Sequence, residues 1–137
     1  MASYVPAVQS GIMDEIGNTK TVGTTLAEVL ELASLDGTLH TVIDISQIDA
    51  FSLSVHNIGL ANDIDQVSIQ HSYQADGPWE LIDSSALASG ALPIAPGEIR
   101  GLENVTNRRK YMRVLAKAAA GNVDVRCTLY GTARSVS

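Results

Sequence analysis

A single cysteine, Cys127, stands among 137 residues, so the chain can form no disulfide within itself and no cysteine-based zinc site. Aromatic side chains are scarce: one Trp, one Phe and four Tyr make 4% of the chain, too few for a broad sugar-stacking platform. Basic residues are nearly missing from the first 97 positions, where Lys20 stands against twelve acidic residues. The remaining 40 positions carry eight basic and three acidic residues. The net charge of −6 disfavours a nucleic-acid binder, which needs surplus Lys and Arg to neutralise phosphates. No run of about 18 apolar residues occurs, so no membrane span is expected. The first residues, MASYVPAVQSGIMDEIGNTK, have neither the basic start nor the apolar run of a secretion signal, which points to a soluble protein made in the cytoplasm.

Reaction chemistry is missing as well. The chain has no Gly-x-Ser-x-Gly, no HExxH and no Gly-rich phosphate loop. No two of His40, His56 and His71 stand at i, i+2 or i+4 spacing, so they do not suggest a metal site. Asn62-Asp63-Ile64-Asp65 offers oxygens but too few ligands for calcium, and reads as a turn bonding its own backbone. Asn104-Val105-Thr106 matches a glycosylation acceptor, which means little without a secretion signal. No catalytic residue, cofactor or metal ligand is assigned, and an enzyme is not expected.

What the chain does have is alternation. Forty-five per cent of its residues are hydrophobic and 18% charged, enough for an ordered core. Phe51, Leu53 and Val55 alternate with Ser52, Ser54 and His56, and Val67, Ile69, His71 and Tyr73 continue a second such phase. Met112, Val114 and Ala116 form a third, and Val123, Val125, Cys127 and Leu129 a fourth. Period two puts one set of side chains on a core face and the other toward water, the pattern of half-buried antiparallel strands. Residues 39–45 and 79–82 read as further strands. Turn chemistry at Asp36-Gly37, Asn57 to Asp65, Asp76-Gly77-Pro78, Pro96-Gly97 and Gly121-Asn122 separates the runs. The fold class expected is all-β: an antiparallel, jelly-roll-like sandwich of roughly seven to nine strands.

Three segments are less regular. In residues 26–35, Leu26, Val29, Leu30 and Ala33 match a helical template, while Leu35-Asp36-Gly37-Thr38 signals a hairpin leading into residues 39–45. The hairpin is preferred, because its turn runs directly into the next strand. Residues 84–97 read as a long surface loop. Residues 1–20 show no clear period and read as an N-terminal arm, followed by one sandwich domain over 21–137. The arm is expected to contact a partner through Met1, Tyr4, Val5, Pro6 and Ile12. The basic turn Arg108-Arg109-Lys110 is a further candidate contact, although it reads first as a solvated loop. Trp79, Tyr111 and Cys127 are assigned structural roles, Trp79 covering an open edge of the core and Cys127 as a small buried hydrophobe.

One stretch carries a family resemblance. FSLSVHNIGLANDIDQVSIQHSYQADGPWELID, followed by KYMRVLA and a last strand ending Leu129-Tyr130-Gly131, resembles small β-sandwich virion proteins of tailed bacteriophages, capsid cement or decoration proteins among them. Its Asp-Gly-x-Trp turn and Tyr-x-Arg strand are also similar to discoidin-type modules. The resemblance covers about the last 90 residues. It implies a structural protein on the capsid exterior, with the phage major capsid protein as partner, dimeric or trimeric self-association, and no nucleic-acid, membrane or cofactor binding. The alternatives are a carbohydrate- or ligand-binding module and a tail or vertex component.

Overall fold

The computed structural model describes residues 12–33, 36–46, 48–82, 92–105 and 109–133. Among them lie eleven strands and no helix: β1 (Ile12–Val22), β2 (Ala27–Glu28), β3 (Leu32–Ala33), β4 (Leu39–His40), β5 (Ile43–Asp44), β6 (Ile48–Asn57), β7 (Ile64–Ser72), β8 (Glu80–Leu81), β9 (Ile99–Val105), β10 (Tyr111–Ala118) and β11 (Val123–Ala133). The pairing is antiparallel and nested. The first strand pairs with the last, β2 and β5 pair with β10, β6 pairs with β9, and β7 pairs with β8 innermost. Wrapping this ribbon over itself brings β6 beside β11 and β7 beside β10. Two sheets result, β1-β11-β6-β9 and β2-β10-β7-β8, and their order is that of a jelly roll.

The alternating runs become the facing inner surfaces of the two sheets. Phe51, Leu53 and Val55 of β6 and Val123, Val125, Cys127 and Leu129 of β11 are buried from one side. Ile64 and Ile69 of β7 and Met112, Val114, Ala116 and Ala118 of β10 are buried from the other. Burying a side chain of the Val, Leu or Phe class contributes about 1.5–3 kcal/mol, so this double layer is the main source of stability.

Among the described buried polar side chains, Asn57 has the most extensive set of hydrogen bonds. Asn57, at the end of β6, is 0% exposed. Its Nδ2 donates to the carbonyls of Asn62 (2.9 Å) and Ile94 (2.8 Å), and its Oδ1 accepts from the Gly59 N–H at 2.9 Å. Its backbone N–H donates to the Glu98 carbonyl and its own carbonyl accepts from the Gly97 N–H. A residue expected only as the first member of a turn thus ties the turn that follows it to the distant stretch 94–98.

Four expectations need correction. Residues 12–20, read as part of an arm, lie in β1, hydrogen-bonded to β11. The register shifts by one residue between Ile16 and Thr19, which scrambles the two-residue period in the sequence. Deleting residues 1–20 would therefore strip the edge of β11 rather than remove an appendage. Residues 26–35 form no helix among those described. Leu32 pairs with His40 and Ala33 with Leu39, so the hairpin exists, but only two residues long. Val29 and Leu30 are both fully buried, as a crossover between layers requires. Residues 39–45 break into β4 and β5, which pair with different strands. Finally, β9 was not expected at all. Gly101 lies in it because a Cβ there would stand 2.3 Å from the Leu53 carbonyl oxygen. Of the segment read as a long loop, residues 84–91 lie outside the described residues, while Ile94 is fully buried and bridges to Ile64.

Replacing Asn57 by Leu removes every side-chain hydrogen bond of this node: the Asn62 carbonyl and the Gly59 N–H lose their Asn57 partner, and the Ile94 carbonyl keeps only the Ile64 N–H. At about 1–3 kcal/mol per buried unsatisfied group, the denaturant midpoint should fall by the equivalent of at least about 2 kcal/mol; an unchanged midpoint would refute the role of the node. The Cys127 thiol is fully buried, and burial pushes its pKa far above the ordinary thiol range. A thiol reagent at pH 8 should therefore modify Cys127 only as fast as the protein unfolds, with labelling accelerating in parallel with denaturant.

Candidate functional site

The outward phase of β10 carries Tyr111, Arg113, Leu115 and Lys117, while the inward phase is anchored in the core. Register with β7 sets Gln70 opposite Arg113 and Ser68 opposite Leu115. On the far side of β7, β8 brings Glu80 and Leu81 alongside His71 and Gln70. On the other side of β10, Glu28 of β2 lies opposite Leu115. The outer face of this sheet therefore gathers cations, carboxylates and rings from four strands.

Arg113 is the centre of the face. Its guanidinium lies 4.4 Å from the centroid of the Trp79 ring, and its Nε donates to Gln70 Oε1 at 2.7 Å. Gln70 Nε2 in turn donates to Ser68 Oγ at 2.9 Å. Glu28 stands 3.9 Å away from an Arg113 terminal nitrogen, and Thr41 Oγ1 donates to the other Glu28 oxygen at 2.8 Å. The planar fork of arginine can stack on a ring and donate at its edge at once, which a lysine ammonium cannot. Trp79 reaches this place through the turn before it. Gly77 has φ +92°, and a Cβ on it would meet Trp79 Cδ1 at 2.8 Å, so the indole packs flush against a glycine.

A second cluster adjoins the start of β10. The Arg109 guanidinium lies 4.5 Å over the Tyr73 ring and pairs with Glu80, while Lys110 Nζ lies 5.3 Å from the Tyr111 ring. Tyr73, whose sequence phase placed it with the core, lies just past the end of β7 and is 71% exposed. Lys117, at the far end of the face, holds Asp65 at 2.8 Å. Beneath Arg109, His71 is buried, and its Nδ1 accepts the Arg109 backbone N–H at 3.2 Å.

The expected site residues are distributed as follows. Arg109, Lys110, Tyr111 and Trp79 all belong to this face, but Trp79 stacks on Arg113 outside the sheet instead of closing the core. Cys127 is in the core. Met1, Tyr4, Val5, Pro6 and Arg108 lie outside the described residues, and Ile12 opens β1, opposite Thr132. Sequence reading missed Arg113, Gln70, Glu28 and Tyr73 as members of one site. Arg113 was legible as the outward residue of an alternating run, but its neighbours come from strands whose pairing the sequence does not state. His40, on β4, and His56, opposite Arg126 and Ile99 in the other sheet, lie apart from His71. Among the described residues no group of three His, Cys, Asp or Glu side chains could hold a metal. The face thus gathers fixed cations, rings and amides from several strands.

Trp79 is the one tryptophan of the chain, so its fluorescence reports this face directly. Arg113→Gln should shift its emission to the red and raise its quenching by acrylamide. Stability should fall by about 1 kcal/mol as the stack and the charged hydrogen bond are lost. Arg113→Lys should not restore the wild-type spectrum, and identical spectra for all three proteins would refute the stack.

Neither family models, curated proteins nor solved structures gave a match to this chain, so the geometry of the face carries the functional reading.

Proposed function

We propose that this protein is a structural component of a tailed-bacteriophage virion, bound to the capsid exterior as a cement or decoration protein and performing no chemistry. The observation that carries the reading is the outer face of the β10 sheet. Arg109, Lys110, Arg113 and Lys117 are gathered there in a chain whose net charge is −6. Most of these cations are already held by a ring or a carboxylate, so docking freezes little further side-chain freedom. Jelly rolls occur in viral capsid domains and in lectins, and fold alone assigns neither role. The partner proposed is the major capsid protein, through an acidic patch of its surface, with the decoration protein itself a dimer or trimer. Binding only the assembled shell stabilises it by mass action.

A second reading has one observation in its favour: Trp79 and Tyr73 each present a ring backed by a guanidinium, a small platform on which a carbohydrate could stack. Glycan binding separates the two readings.

Particles should carry the protein in a fixed ratio to the major shell protein, and heads lacking it should lose integrity at a lower temperature. Replacing Arg109 and Lys117 together by Glu should slow attachment at low salt, and the difference should shrink as salt screens the field. Absence from particles, together with binding to a glycan, would overturn the structural reading in favour of the lectin-like one. A few copies per particle would place the protein at a tail or vertex instead.

A further inference from the structure

His71 belongs to the inward phase of β7, opposite Met112, and is 9% exposed. Buried imidazoles on such a face normally do no more than fill space. This one also accepts a hydrogen bond from a backbone N–H, that of Arg109, at 3.2 Å. An imidazole can accept at Nδ1 only when that nitrogen carries no proton, so the ring is neutral with its hydrogen on Nε2. Arg109 is the residue whose side chain stacks on Tyr73 and pairs with Glu80. One bond from the interior thus fixes the backbone from which half of the outer face is built.

We propose that His71 is a pH-operated latch, closed while neutral, whose protonation releases Arg109 and loosens the docking face. The inference rests on the reading of that face as the attachment surface. Protonation places a hydrogen on Nδ1 directly against the Arg109 N–H, donor against donor. It also sets a second cation beside the guanidinium. The charged and titratable groups on the elements packed around His71 are Glu80 of β8, Arg109, Lys110 and Tyr111 at the start of β10, and Asp44 of β5. Asp44 is occupied by the Ser46 N–H at 2.9 Å, and Glu80 by Arg109. Each carboxylate already serves a partner, and an imidazolium would have to share Glu80 with the Arg109 guanidinium.

The electrostatics run in the same direction. Burial, and secondly the Arg109 charge, hold the His71 pKa below the ordinary imidazole value, with Glu80 opposing in part. The folded protein then binds fewer protons than the unfolded chain. Stability from this group is complete above the unfolded imidazole pKa, about 6.5, and drains away as the pH falls toward the lower folded value. Local opening at Arg109 follows the same linkage. Its equilibrium should rise by about tenfold for each unit by which the folded pKa lies below the free value.

The test begins on the isolated protein. An NMR titration should give His71 a pKa below the ordinary imidazole value of about 6.5. Over the same range, the protection of the Arg109 amide against hydrogen exchange should collapse, while amides in the centre of β11 keep theirs. His71→Asn keeps an acceptor near the Nδ1 position and cannot titrate, so its Arg109 amide should stay protected from pH 7 to pH 5. An ordinary His71 pKa, or an Arg109 amide indifferent to pH in the wild type, overturns the latch whatever the protein binds. If His71→Asn fails to fold, the wild-type titration decides alone. Attachment to heads lacking the protein is then measured from pH 7 to pH 5. It should weaken for the wild type and not for His71→Asn. A working latch in the isolated protein with pH-independent attachment would overturn the docking face as the thing it controls, leaving the local switch established.

Discussion

The two-residue period of β10 is the constraint on which the candidate face depends. Met112, Val114, Ala116 and Ala118 are locked in the core, and that fixes Tyr111, Arg113, Leu115 and Lys117 on the opposite side with no freedom to slip. A shift of one residue would bury an arginine and expose a methionine, so register is held by the whole inner layer. The strand lies between β7 on one flank and β2 and β5 on the other, and each flank delivers a partner to Arg113. Rigidity of the face is thus inherited from the core and does not have to be built on the surface.

The cations show how a crowded basic cluster is kept compact. Arg109, Lys110 and Arg113 follow one another within five positions, and each is spread over a different ring. Exposed ion pairs contribute little on their own. A guanidinium stacked on a ring and bonded at its edge gives up fewer alternatives, because arginine's fork is already planar. The face is therefore ordered mainly by stacking and hydrogen bonding.

The four central strands were legible in the sequence because their apolar residues alternate; the alternation of burial is clean in β10 and blurred in β7, where Ser68 and Ser72 are buried as well. The edges were not. In β1 the extra residue between Ile16 and Thr19 breaks the phase, and in β9 the sequence IRGLENV puts a glycine where a strand former would be expected. Both are edge strands carrying irregular register, a device that also discourages pairing with another chain. The fold class followed from the central strands alone. The face did not, because Gln70, Glu28, Tyr73 and Glu80 meet Arg109 and Arg113 only through long-range pairing. Trp79, assigned in the sequence to cover an open edge of the core, stacks on Arg113, the outward cation of the neighbouring run.

Nested pairing also has a consequence for biosynthesis. About 100 residues separate the end of β1 from the start of β11, so its partner emerges after every other described strand. At ordinary elongation rates of about 5–20 residues per second, β1 waits roughly 5–20 seconds without the strand it belongs to. The local pairs, β3 with β4, β7 with β8 and then β6 with β9, can close well before β11 emerges. The nascent chain is thus assembled from the inside outward, and its hydrophobic sheet edges stay open to chaperones, or to other nascent copies, until β11 has emerged.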